Sequence, residues 1–387
     1  MTALAEVVRQ HGPHYIERHQ GRLLPSHARA LRAIATCRTG ALGGHLAHCS
    51  RCGDAHLLYH SCRHRACPQC GHDATERWLA RQRELMLPVP YFHVVFTLPA
   101  ELRRVVRAHQ RALLPVLFRA AFESLAALCS DSKHVGGRIG ALAVLHTWTR
   151  TLEWHPHLHV LVPGGALSAD GRTWLPIKTR KRRFLVPVKA LAKHFRGRFL
   201  SLARQRIPSG QLPHVPWDKP WVVFAKPAVQ GADNVLAYLG RYVHRTAITD
   251  KAIIANHDAG VSFTYRDSRE QTRKRMTLPA HEFLRRFLQH VPPQGMHRVR
   301  AYGLLHPAHR ATLRRLQLLM AANVTPSAEP KPPRVRPRRC PRCHEQALVL
   351  LRRLAPDECV AWQADARLAA SPLARAPPRV FSQGAPA

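Results

Sequence analysis

The sequence predicts an α+β protein, a central sheet carrying helices, with a small cysteine-rich module in front of it. Three observations lead there. From about residue 88 to 325, short apolar runs with strand alternation interleave with segments of helical spacing. Six of the ten cysteines fall between Cys37 and Cys70. Beyond about residue 325 the composition turns Pro- and Arg-rich, as in an extended linker. The expected parts are therefore 1–87, 88–325 and 326–387, the last holding a linker, a single Cys-x2-Cys pair and a disordered tail from Ala370.

The elements follow in chain order. Ala28–Cys37 has helical spacing and is stopped by Gly40, Gly43 and Gly44. Ala74–Met86 reads as a helix ended by Pro88 and Pro90. Phe92–Thr97 is a strand candidate, and Glu101–Cys129 one long helix. Ala141–Trp148 and His157–Val162 read as two strands joined by a short turn. Pro187–Arg204 is helical, Trp221–Ala225 a strand, Asn234–Val243 a short helix, Val261–Tyr265 a strand and His281–His290 an amphipathic helix. This mixed order suggests a sheet covered on one face.

Charge restricts the partner. The chain of 387 residues has 60 Lys and Arg against 23 Asp and Glu, a formal charge of +37. A nucleic acid is the expected polyanion, because each neutralised phosphate releases counterions. No apolar run of about 18 residues is evident, so no membrane span is expected. Met1–Gln10 lacks the pattern of a secretory signal. The expected setting is the cytoplasm, at the nucleoid when DNA is bound.

Cys49-Ser-Arg-Cys52 and Cys67-Pro-Gln-Cys70 are two Cys-x2-Cys knuckles. Each aims two thiolates at one ion, and together they predict one closed structural zinc site. Cys37, His45, Cys62 and His64 lie around it and either complete a second site or are ordinary neighbours. Four thiolates leave no open position for a substrate, so the module is read as a grip on DNA through Arg51, Arg63 and Arg65. Cys340-Pro-Arg-Cys343 is a half-site with only His344 and Cys359 nearby, and no metal is expected there.

In Trp154-His-Pro-His-Leu-His159 the strand alternation sends His157 and His159 to one face, with Leu158, Val160 and Val162 on the buried side. Two imidazoles so placed can hold one divalent ion with positions left free for a phosphate oxygen. His146, His155 and Glu153 are the candidates for a third ligand. Against this stands the frequency of such pairs by chance in a chain with 27 histidines. Tyr238-Leu-Gly-Arg-Tyr242 puts two phenols one helical turn apart. They either pack with Val235 and Leu239 or act as nucleophiles, their phenolates favoured by Arg241 and Arg245.

The order of these blocks is more specific than any one of them. Ser61–Cys70, Trp154–Gly165, Tyr238–Arg245, Glu282–Val291 and Arg300–Gly303, in a stretch from about Cys37 to Leu305, resemble the two-tyrosine rolling-circle transposases of the insertion-sequence ninety-one family. That family belongs to the HUH endonucleases, named for histidine-hydrophobe-histidine. The resemblance implies an HUH-type central antiparallel sheet with flanking helices. It implies Mg2+ or Mn2+ on His157 and His159, with Tyr238 and Tyr242 as nucleophiles forming 5′-phosphotyrosine on single-stranded element ends. The rivals are a plasmid replication initiator or relaxase of the same chemistry, and a zinc-dependent DNA-binding regulator without catalysis.

Overall fold

The structure, a computed structural model, describes residues 4–177, 185–216, 218–227, 232–243, 247–267, 270–321 and 339–369. At some helical positions, Tyr238, Arg241 and Tyr242 among them, it describes the backbone alone. The chain divides into two compact bodies, one of residues 1–32 and 63–335, the other of residues 33–62 and 336–387.

The first body is built on a five-stranded antiparallel sheet. In space the strands run Val299–Gly303, Gly140–Trp148, Trp154–Pro163, Tyr91–Thr97 and Val223–Pro227. The histidine strand Trp154–Pro163 is central, and its hairpin partner is Gly140–Trp148. One sheet face presents Phe92, Val94, Phe96, Ala141, Ala143, Leu145, Leu158, Val160 and Val162. The helices Gln110–Ser130 and Val188–Arg204 cover it through Leu113, Leu117, Phe118, Leu125, Phe195 and Phe199. Each such side chain contributes roughly 1.5–3 kcal/mol by leaving water, so this face is the main source of the body's stability.

The sheet is covered on both faces, not on one as expected. Leu142, Val144 and Leu161 point the other way and are also buried. They pack with Trp78 and Leu79 of the helix Gly71–Arg83, with Leu236, Leu239 and Val243 of the helix Ala232–Val243, and with Leu313 and Leu316 of the helix Arg310–Ala321. The reason is visible in Ala141-Leu-Ala-Val-Leu145, which is apolar at both parities.

The expected long helix is interrupted. It runs as Arg103–Ala108 and Gln110–Ser130, with His109 between them at φ −111° and ψ 41°. Pro115, just downstream, has no N–H for the ladder. Gln110–Ser130 is long and apolar enough to cross a membrane by length and composition, contrary to the expectation of no such run. Its buried residues are spent on the sheet.

The second body has a three-stranded antiparallel sheet in the order Leu348–Leu354, Gly44–Cys49, Ala55–Tyr59, followed by the helix Pro356–Ala369. Its middle strand thus pairs with a strand from the far end of the chain. The Pro- and Arg-rich segment to Arg338 and the tail from Ala370 lie outside the described residues.

Candidate active site

The strand register gathers the histidines at one end of the sheet face shared with Leu142, Val144 and Leu161. His146 lies directly opposite His157, and Val144 opposite His159. The nitrogens of His146, His157 and His159 that could bind an ion all lie within 4.8 Å of one another. His146 Nδ1 is 2.8 Å from His157 Nε2. Of the candidates for a third ligand, the structure therefore brings His146 to the pair. His155 supplies its backbone carbonyl instead, which accepts from His157 Nδ1–H at 2.8 Å. Glu153 is exposed, and among the described residues no carboxylate joins the three imidazoles.

These contacts decide tautomers. Because the carbonyl of His155 can only accept, His157 carries its proton on Nδ1 and keeps a lone pair on Nε2. His159 Nδ1 is 2.9 Å from His93 Nε2, the two rings stacked at 5.1 Å and 10°. His93 is an addition to the residues expected from the sequence. Its parity in Tyr91–Thr97 was the available signal, since it shares the face of His157 and His159 across the neighbouring strand. Burial holds the whole group neutral. It pushes His157 down to about 4, and His159 to about 2 with the neighbouring imidazoles adding to the effect. It also holds His146 well below the usual histidine range and lowers His93. Neutral, lone-pair-bearing and oriented imidazoles are what a divalent ion requires, so the donor set fits one.

A second histidine braces the hairpin. His290 is fully enclosed, donates from Nε2 to Leu152 O at 3.0 Å and lies 3.3 Å from Thr147 Oγ1. The buried Arg298 guanidinium donates to His290 O at 2.8 Å. Trp148 stands edge-on to His146 at 3.9 Å between ring centres. His290 was legible only as part of the block Glu282–Val291.

The helix Ala232–Val243 carries Tyr238 and Tyr242, and its Leu236, Leu239 and Val243 bury against the same sheet face that bears the histidines. The side chains of Tyr238, Tyr242 and Arg241 lie outside the described residues, as does Arg245. Gly240 gives this helix its close approach, since a Cβ there would meet Leu79 Cδ2 at 2.9 Å. Past the helix, the chain at Ala247–Thr249 forms one wall of a cleft of about 310 Å³. His146, Trp148, Arg150 and Tyr265 line the same cleft.

The cysteines do not pair as expected. Cys49 and Cys52 come together with Cys340 and Cys343, all four sulfurs lying within 4.8 Å of one another. Cys67 and Cys70 belong to the other body and make a tight turn of their own, Cys70 N–H donating to Cys67 O at 3.2 Å. The correction has a physical reason. The strand Gly44–Cys49 pairs with Leu348–Leu354 in antiparallel register, Cys49 opposite Leu348, which brings the C-terminal knuckle to Cys49. His45 Nδ1 is 3.1 Å from His60 Nε2, and among the described residues His45 joins no metal-sized cluster. Cys37 is buried and Cys62 half-buried in the second body. His64 Nδ1 accepts from Ala66 N–H at 3.2 Å.

Of the arginines expected at DNA, Arg51 and Arg63 are exposed. Arg65 is not available for that role. Its guanidinium donates to the carbonyls of Met296, Pro292 and Pro293, the last at 2.8 Å, and so holds the turn after His290.

Two family models match the chain. One, described as a putative transposase, covers residues 140–312 and includes both the histidine hairpin and the tyrosine helix. The other, a transposase zinc-binding domain of the IS91 type, covers residues 7–98. The chain is 37% identical over 379 residues to the "Putative transposase y4qJ" of Sinorhizobium fredii, covering 90% of this chain and 94% of that one. The chain belongs to the IS91 family of transposases. A further relative in the family is the "Transposase for insertion sequence element IS801" of Pseudomonas savastanoi pv. phaseolicola, 30% identical over 306 residues, 74% of this chain and 72% of that one. No solved structure matches this IS91-family chain.

Proposed function

We propose that this transposase cuts and rejoins single-stranded DNA at element ends, with Tyr238 and Tyr242 as nucleophiles. The tyrosine oxygen attacks the scissile phosphorus, the P–O3′ bond breaks, and the 3′ oxygen leaves as a hydroxyl after taking a proton. The DNA 5′ end stays on the enzyme as a phosphotyrosine. The bond energy is kept, so the reverse attack by another 3′ hydroxyl rejoins the strand without ATP. His146, His157 and His159 are the residues that would hold Mg2+ or Mn2+, which supplies electrophilic polarisation of the phosphate. His155 O and His93 keep the ring orientations that leave ligand nitrogens available.

The observation that carries this reading is the shared face. The three imidazoles sit at one end of a sheet surface whose other part is covered by the tyrosine helix, and the chain leaving that helix lines a cleft with His146. Two phenols one turn apart then serve two successive strand exchanges. Arg51, Arg63, Arg241 and Arg245 act on phosphates, which position DNA without reading sequence. Zinc has a structural part. The protein works in the bacterial cytoplasm, where the element's DNA is.

The test is cleavage of labelled single strands taken from the gene's own flanks, read on a denaturing gel. Wild type with Mg2+ or Mn2+ should give a cut product and a band shifted by covalent protein, both lost with chelator. The variants His157→Ala and Tyr238→Phe/Tyr242→Phe should give neither. Cleavage that persists in the double tyrosine variant refutes the mechanism, and a wild type that never cuts favours a binding protein without catalysis.

A further inference from the structure

Among its described residues, the second body buries few large apolar side chains with which to hold three strands. Its fully buried hydrophobic residues are Ile34, Ala47, Cys49, Cys340, Leu354 and Cys359, of which only Ile34 and Leu354 are large aliphatics. A core of that size does not ordinarily support a fold without a staple. At its centre, Cys49 Sγ lies 3.6 Å from Cys343 Sγ, and Cys52 Sγ lies 3.7 Å from Cys340 Sγ. A disulfide requires sulfurs about 2.0 Å apart, so these are not bridges. Four sulfurs at Zn–S bonds of about 2.3 Å in a tetrahedron stand roughly 3.8 Å from one another, which is the spacing found.

The backbone around the two pairs is the same structure made twice. Cys49 N–H donates to Asp54 O at 2.9 Å, and Gly53 N–H donates to Cys49 O at 2.9 Å. At the other end of the chain, Cys340 N–H donates to Glu345 O at 2.8 Å, and His344 N–H donates to Cys340 O at 2.9 Å. The residue after each second cysteine has positive φ, Gly53 at 74° and His344 at 60°. A non-glycine residue is uncommon in that region, and its presence at the equivalent place marks a turn under geometric demand. The ion pairs between the knuckles are reciprocal. Arg51 meets Glu345 at 3.8 Å and Arg342 meets Asp54 at 3.2 Å. His56 Nε2 is 3.1 Å from Cys340 Sγ and 3.4 Å from Asp54 Oδ2, placed to orient a thiolate from the next shell out.

We propose that Cys49, Cys52, Cys340 and Cys343 bind one zinc ion, and that this ion joins the N-terminal and C-terminal segments of the chain into a single zinc ribbon. Cys340 and Cys343 lie beyond both family matches. The zinc module is then encoded in two pieces on either side of the catalytic segment, and the C-terminal segment is part of the fold it completes.

Metal content of the purified full-length protein tests this. Cys49→Ser, Cys340→Ser and Cys343→Ser should each bind one zinc fewer per chain than wild type. The double variant Cys49→Ser/Cys340→Ser should lose no more than either single change, because both act on one site. Since a serine variant can fail through misfolding, Cys343→His is the second arm. It should keep the wild-type zinc content, while its cobalt-substituted form loses thiolate charge-transfer intensity, as one of four sulfurs becomes a nitrogen. Wild-type zinc content in Cys340→Ser and Cys343→Ser overturns the proposal. So does an unchanged cobalt spectrum in Cys343→His.

Discussion

Replacing His93 by Phe isolates one contact of the histidine site. Phe keeps a planar ring where His93 now stacks on His159 at 5.1 Å and 10°, so packing is conserved. What goes is the 2.9 Å contact between His93 Nε2 and His159 Nδ1. For His159 to offer Nε2 to an ion, Nδ1 must carry the proton, and His93 is its acceptor. Without His93 that buried N–H loses this acceptor, a change worth roughly 1–3 kcal/mol. His159 escapes the cost by moving its proton to Nε2, the nitrogen an ion needs. The loss therefore appears in metal affinity more than in folding. Partners of this kind typically change affinity about 10–100-fold, or roughly 1.4–2.7 kcal/mol. Calorimetric titration with Mn2+ should show that weakening in His93→Phe, with the circular dichroism of wild type. Unchanged affinity in His93→Phe alongside a large loss in His157→Ala would refute the tautomer argument. A loss greater than that of His159→Ala would make His93 a ligand itself.

Other predictions are more local. Gly303 has φ 53°, and a Cβ there would sit 2.0 Å from Ile139 O, so Gly303→Ala must move backbone at the sheet edge. We expect a loss of at least about 2 kcal/mol and a clear fall in thermal midpoint, and an unchanged midpoint would contradict the edge geometry. Glu282 is held down to about 2, mainly by its hydrogen bond from Arg285 and, against some desolvation, by Arg286. Its unfolded value is about 4.3, so its stabilising effect is complete above that pH and fades as pH falls toward 2. Glu282→Gln should thus destabilise at pH 7 and converge with wild type near pH 2 in denaturant titrations. Equal gaps at both pH values would refute the ion pair's role. Tyr265 is part-exposed in the cleft beside His146, placed for a base to stack on it. Tyr265→Leu should weaken single-strand binding by about 1–3 kcal/mol in fluorescence anisotropy without changing its salt slope. No change in affinity would remove the cleft from the DNA path.

Much of the catalytic body was legible because its signals are local. The apolar run opening Ala141–Trp148 and the alternation at the start of His157–Val162 named the hairpin, and parity alone put His157 and His159 together. His146 needed the register, and the register follows from a short turn between adjacent strands. His93 was harder, because it comes from a strand far off in sequence that no turn ties to the histidine strand. The two-sided burial of the sheet is written in the apolar run at 141–145, which marks a strand and, by its lack of alternation, two covered faces. The grouping of the zinc ligands was not legible, for a different reason. Cys-x2-Cys spacing says that a knuckle forms and is silent on which knuckle it meets. Nearness in sequence favoured Cys67 and Cys70, whereas the strand pairing of Gly44–Cys49 with Leu348–Leu354 selects Cys340 and Cys343. Composition cannot distinguish a guanidinium facing DNA from one facing three backbone carbonyls, as that of Arg65 does.

The chemistry stands or falls on which atom holds the DNA after cleavage. The direct measurement is to trap the adduct formed with a single-stranded element end, digest it and sequence the modified peptide by mass spectrometry. A nucleotide on Tyr238 or Tyr242, and its disappearance in His157→Ala/His159→Ala, is the predicted result. A nucleotide mapped to any other residue, or a free 5′ phosphate with no adduct while the strand is being cut, would contradict the two-tyrosine account.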